Sequence, residues 1–131
     1  MMAAGKLSVL VNRWQPSFIT LDFVGYDFTG AAFKSQVRAY RDAPNPALIT
    51  LENAAAGTQG ISCVVTVDDD DVPTSALTLQ FDETTIEDLP FTNPKGTDLD
   101  LVWDLTIDPT DSEKLRWLEG PFIVHGGSTQ I

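Results

Sequence analysis

Residues 99–124 read LDLVWDLTIDPTDSEKLRWLEGPFIV. Leu99, Leu101, Trp103, Leu105 and Ile107 recur at every second position, with Asp100, Asp104 and Thr106 between them. That period of two specifies a β-strand with one buried face and one wet face. Asp108, Pro109 and Asp111 then supply turn chemistry. The run at residues 115–118 returns antiparallel, as the second arm of a hairpin. Gly120 follows that arm, and a short strand comes after it. The hairpin holds no nucleophile–base pair and no metal-ligand cluster, so it reads as scaffold.

The same alternation extends upstream. Residues 7–11 form a short strand. Residues 18–24 place Ile19, Leu21 and Phe23 on one face, and a turn follows at 27–30. Residues 31–40 split into an inward set (Phe33, Ser35, Val37, Ala39) and an outward set (Lys34, Gln36, Arg38, Tyr40). A loop at 42–46 leads to a short strand at 48–51 and a small, flexible stretch at 53–60. Residues 61–67 turn Ile61, Cys63, Val65 and Val67 inward. A loop at 68–75 follows, with Pro73 blocking further pairing. Residues 76–81 bury Leu77, Leu79 and Phe81. Residues 83–89 make one helical turn, capped by Asp82 or Thr84 and stopped by Pro90, and a loop at 91–97 leads into the hairpin.

Roughly seven to nine short strands with turns between them point to an all-β fold. Each one-sided sheet must bury its apolar face on another, which gives an antiparallel, immunoglobulin-like β-sandwich with one short helical turn. A small barrel is the alternative. The expected core is Leu21, Phe23, Phe33, Val37, Cys63, Val65, Leu79, Phe81, Leu101, Trp103, Leu105 and Phe122.

With 131 residues the chain fits a single domain, residues 1–131, large enough to fold without a disulfide or metal. Cys63 is the one cysteine, which excludes an internal disulfide and reads as a small buried hydrophobe. The apolar core of the N-terminus, residues 7–11, is too short for a signal peptide or a membrane span.

The net charge of −11 is unevenly spread. Residues 1–42 carry Lys6, Arg13, Lys34, Arg38 and Arg41 against Asp22, Asp27 and Asp42, a net of +2. The remainder carries −13. Such a surface repels nucleic acid and anionic membrane and can guide a basic partner.

Few residues offer chemistry. Asp68, Asp69, Asp70 and Asp71 are the obvious cation candidate, but consecutive aspartates in an extended loop point apart, and calcium needs six to eight convergent oxygens. They read as a solvated turn. His125 is the one histidine, and it has no Cys–His spacing for zinc. The serines are scattered, with no base placed to activate one. Trp103 and Trp117 read as core. Trp14, between Arg13 and Gln15, closes one end of the sandwich or marks a contact with another subunit. No catalytic residue, metal ligand or cofactor site is expected, and carboxylate chemistry stays open among so many acids.

Three stretches carry a resemblance. Residues 28–38, FTGAAFKSQVR, resemble a turn-into-strand signature of small bacteriophage tail and baseplate domains, of the type at the N-terminus of baseplate upper proteins and in related prophage structural proteins. Residues 77–81 through 86–90 are similar to that family's strand, short helical turn and Leu-Pro. Residues 100–124 are similar to its last hairpin, with Trp103-Asp104-Leu105 in place of Tyr-Asp-Leu and Arg116 to Val124 matching the return arm. Two departures stand out. The chain ends soon after Val124, and Arg13-Trp14-Gln15-Pro16 replaces the usual polar–Gly opening.

The resemblance implies a non-enzymatic virion structural protein of the tail, baseplate or neck, assembled in the bacterial host cytoplasm. Its partners would be other phage structural proteins or further copies of itself, with no nucleic acid and no membrane. A carbohydrate-binding β-sandwich is the alternative, motivated by the three tryptophans. The expected interface is Trp14 with the basic strip Lys34, Gln36, Arg38, Tyr40 and Arg41. That strip would pair with Asp100 and Asp104 inside the monomer if both lay in one sheet. It would meet the next copy head-to-tail, closing a ring, if they did not.

Overall fold

The computed structural model describes residues 5–44, 46–91, 98–110 and 113–126. Most of the loop expected at 91–97, Asn45 of the 42–46 loop and Asp111 of the hairpin turn lie outside these residues. In chain order the elements are β1 (Gly5–Lys6), β2 (Val9–Asn12), β3 (Ser17–Val24), β4 (Ala32–Arg38), β5 (Ile49–Glu52), β6 (Gly60–Val67), β7 (Pro73–Phe81), α1 (Glu83–Glu87), β8 (Leu99–Asp108) and β9 (Leu115–His125).

They form an all-β sandwich. One sheet has the order β1-β9-β8-β4-β5, with β2 also on β9, and the other has the order β3-β7-β6. The apolar half of each alternating strand faces the opposite sheet. Leu101, Trp103, Leu105 and Ile107 of β8 join Phe33 and Val37 of β4, Leu77, Leu79 and Phe81 of β7, and Phe122 and Val124 of β9 in one buried cluster. Ile19, Leu21, Phe23 and Cys63 pack against it partly buried. Two inward assignments move outward. Val67 is exposed because it ends an edge strand, and Ala39 is exposed because β4 stops at Arg38.

Pro73 opens β7 instead of blocking it. Its carbonyl accepts from Gly25 N at 2.7 Å, so its nitrogen faces β3 beyond the end of that ladder, where no donor is needed. Ser75, fully buried, accepts from Phe28 N at 2.9 Å and donates to Tyr26 O at 2.8 Å, which ties the 26–28 turn to β7. Asp82 stands at the N-cap of α1 without a side-chain cap bond. The helical turn is held instead by buried Ile86 and by Glu87, which accepts from Arg13 Nε at 3.0 Å and Trp14 N at 3.1 Å.

The closing hairpin is longer than its pattern suggests. β9 is one strand that runs through Gly120. Leu105 pairs with Leu118 but Thr106 pairs with Arg116, so Trp117 is an extra residue, a bulge. The bulge seats the Trp117 ring 5.8 Å from Phe23, 4.9 Å from Tyr26 and 5.5 Å from Phe28, centroid to centroid.

The N-terminal strands run parallel to β9, a pairing absent from the local pattern, so the larger sheet is mixed. Between β1 and β2 the chain passes over Gly120. Gly120 does not follow the return arm but sits mid-strand within it, and its role is steric. A Cβ there would run into the Leu7 carbonyl. That carbonyl accepts from Trp103 Nε1 at 2.9 Å, and Trp103 is the cross-strand neighbour of Gly120. Gly30, by contrast, does adopt the positive φ (+75°) its turn requires.

Candidate functional site

Among the described residues, the outward face of the larger sheet holds a constellation of charged side chains from four strands. Register builds it. Gln36 of β4 is paired with Asp104 of β8, Asp104 with Glu119 of β9, and Glu119 with Lys6 of β1. Four strands therefore contribute one continuous polar row. Arg116, one turn of the pleat away on β9, reaches Asp104 at 3.4 Å. The chain leaving β4 arches over the row. Arg38 holds that arch by donating to Ala43 O at 2.9 Å and to Gln36 Oε1 at 3.0 Å. Arg41, on the arch, reaches back to Glu119 at 3.4 Å.

The result is a groove of about 670 Å³, lined along its floor by Gln36, Arg38, Asp104, Arg116 and Glu119 and along its rim by Tyr40 and Arg41. Lys6, Arg38, Arg41 and Arg116 are four of the chain's eight basic residues. They surround two adjacent carboxylates whose protons are held differently. Burial pushes the Asp104 carboxyl above the ordinary aspartate range, against the pull of Arg116 and the backbone bond from Gln36. Lys6 beside Glu119 holds that carboxyl below its ordinary range. Two like charges across one register pair are tolerated because cations face them from three sides.

The structure gathers four of the six expected interface residues: Gln36, Arg38, Tyr40 and Arg41. Lys34 lies on the same face of β4 but outside the groove, paired by register with Thr106 and Glu52. Trp14 is elsewhere, half-buried beside Arg13, whose guanidinium lies 4.5 Å from its ring and 3.9 Å from that of Phe91. The Trp14 amide donates to Glu87 of α1 at 3.1 Å. The basic strip and Asp104 are neighbours in one sheet, so they compensate each other inside the monomer, and Asp100 stays exposed outside the groove. Sequence reading missed Lys6, Arg116 and Glu119. They arrive through the parallel β1–β9 pairing and the Trp117 bulge, neither of which leaves a local signal.

The remaining candidates are structural. Asp68 Oδ1 accepts from Asp70 N at 2.8 Å and Val72 N at 2.9 Å, so its carboxylate closes its own turn. Among the described residues no group of three His, Cys, Asp or Glu could hold a metal, and no helix is long and apolar enough to cross a membrane. His125 Nδ1 lies 2.9 Å from Asp98 on the exposed end of β9. Trp103 is buried with its indole nitrogen used by Leu7, and Trp117 is enclosed by aromatic rings. No family model, curated protein or solved structure matches this chain.

Proposed function

We propose that this chain is a non-enzymatic structural component of a phage or prophage virion, in the tail, baseplate or neck, and that it works by protein–protein assembly. The observation that supports the reading is the groove: on a chain of net charge −11, four basic residues and two carboxylates are gathered by sheet register along one groove. A pattern of alternating charge selects a complementary partner and fixes its register more than it adds affinity. Of the stretches that resemble tail and baseplate domains, β4 with its preceding turn and the β8–β9 hairpin contribute strands to that groove, whereas the β7–α1 unit lies in and beyond the opposite sheet. Partners would be other virion proteins or further copies, joined in the host cytoplasm.

The test reverses charge at the rim. Lys6 and Arg41 side chains are 71% and 70% exposed, so Lys6→Glu with Arg41→Glu leaves the core alone. The double variant is expected to fold with a small loss of melting temperature, since both partners of Glu119 are reversed, but to enter purified particles poorly, with a changed salt response. Lys34→Glu, outside the groove, serves as control. Normal incorporation of the double variant at both low and high salt would reject the groove as the assembly surface.

A second reading, acid–base chemistry in the same groove, is favoured by the opposite shifts of Asp104 and Glu119. A general acid at neutral pH needs a carboxyl titrating near pH 7. Carbon-13 titration of Asp104 decides it: a midpoint below about 5 removes this reading.

A further inference from the structure

The edges of the two sheets are not guarded alike. At the β5 edge the strand has four residues and ends in Glu52; at the other edge of that sheet, β1 and β2 are short and separated at Leu7 and Ser8. Edge strand β3 carries Asp22. β6 has eight residues, GISCVVTV, with no charge, no proline and an unbroken pairing to β7. An edge of this kind is what proteins ordinarily protect against pairing. Ile61 O accepts from Ala54 N at 2.9 Å, so the odd-numbered residues of β6 turn their N–H and C=O groups off the sheet. Beyond Ile61 the free groups belong to Cys63, Val65 and Val67, which have no backbone partner among the described residues.

Beside this edge the sandwich is open. A recess of about 410 Å³ lies between Cys63 and Val65 on one side and Phe28, Ala31, Phe33 and Asn53 on the other. It marks where the three-stranded sheet stops short of the wider sheet opposite. Outside the recess, Val64 on the outer face of β6 and Val67 at its end are each 60% exposed.

We propose that β6 pairs antiparallel with β6 of a second copy, joining the two three-stranded sheets into one of six strands. The match of the edge to itself points to a second copy as the occupant. Two chains of net charge −11 repel over most of their surfaces, but Gly60–Val67 brings no ionisable carboxylate or cation against itself. Ile61 is blocked by Ala54, so the free window runs from Cys63 to Val67 and its centre is Val65. A two-fold axis there pairs Val65 with the partner's Val65, and Cys63 with the partner's Val67. The uncharged inward side chains of each β6 then line the other copy's recess, and the two recesses close one another. The acidic turns at Asp68 fall at opposite ends of the joint strand pair. This pairing uses the β6 edge alone and does not depend on the groove.

The mass in solution of the whole chain is measured by sedimentation from about micromolar to about millimolar concentration. A concentration-dependent dimer is expected. Val64→Lys, on the exposed face, lies opposite the partner's Thr66 and diagonal to the second lysine, and is expected to raise the dimer Kd by about two- to fivefold. Val65→Pro should abolish the dimer while the monomer stays folded, because the nitrogen it alters faces off the sheet. In a Cys63→Ala background, Val65→Cys should form an intermolecular disulfide on mild oxidation, since hydrogen-bonded antiparallel partners lie about 5.5 Å apart at Cα. Val24→Cys, on the β3 edge, should not. A wild-type chain that stays monomeric throughout, a dimer indifferent to both Val64→Lys and Val65→Pro, or equal cross-linking at positions 24 and 65 would each overturn the proposal. So would β6 amides that gain exchange protection only when another virion protein is added, which would assign the edge to that partner.

Discussion

Gly120→Ala adds one methyl group in the middle of β9, on the face it shares with buried Trp103, and is expected to be costly. The new Cβ would meet the carbonyl oxygen, carbonyl carbon and nitrogen of Leu7, all of them backbone. Backbone at that position cannot rotate aside, because Leu7 N donates to Glu119 O at 3.0 Å and Leu7 O accepts from buried Trp103 at 2.9 Å. Overpacking of this kind costs about 1–3 kcal/mol. If the N-terminal segment lifts off, the bond to Trp103 is lost as well, at about 1 kcal/mol or somewhat more for a buried donor. The sum is roughly 2–4 kcal/mol, a fall in melting temperature of about 7–15 °C for a chain of this size. Urea unfolding gives the free energy, and exchange of the Trp103 indole proton reports whether Leu7 has moved. In a chain lacking residues 1–8, Gly120→Ala should cost less than about 0.5 kcal/mol, since its obstacle is gone. An equal cost with and without that segment would show that the clash with Leu7 is not the reason for glycine.

Trp103→Ala should cost roughly 3–5 kcal/mol in chemical unfolding, a cavity in the centre of the core. Trp117→Phe should cost clearly less than Trp103→Phe, because the Trp117 nitrogen is buried without a partner whereas the Trp103 nitrogen is bonded. Glu87→Ala should cost roughly 1.5–3 kcal/mol and shift Trp14 fluorescence, since one carboxylate serves both the Arg13 guanidinium and the Trp14 amide. Asp104 has a raised pKa in the folded state, so the folded form binds its proton more tightly than the unfolded form. Its contribution to stability is full below the ordinary value of 3.8 and is lost as pH rises through the raised value. Stability of the wild type should therefore fall across that window relative to Asp104→Asn, as seen in melting temperatures measured from pH 3 upward.

The β-sandwich was legible in the sequence because most of its strands are one-sided and alternate for seven residues or more. β8 shows this best: Leu99, Leu101, Trp103, Leu105 and Ile107 are its five buried positions, and Val102 between them is only partly buried. Reading failed where a long-range contact overrides the local period. Gly120 looks like a strand end, yet it is required by Leu7, more than a hundred residues earlier in the chain. Trp117 breaks the alternation of β9 because a bulge reverses its facing, and that reversal also brings Arg116 to Asp104. Pro73 looks like a stop but opens a strand at a position that needs no donor. At the groove, the outward set of β4 was legible from its alternation. Lys6 and Glu119 were not, because a parallel pairing between the two ends of a chain leaves no periodic trace.

The most direct measurement is a protein inventory, by mass spectrometry, of phage particles purified from cells that carry the gene for this chain. The account expects the chain in intact particles at a copy number matching a symmetric tail, baseplate or neck, and its loss from particles when Lys6 and Arg41 are both reversed to Glu. Intact particles that lack the chain, with the protein left behind as a free species in the lysate, would contradict it.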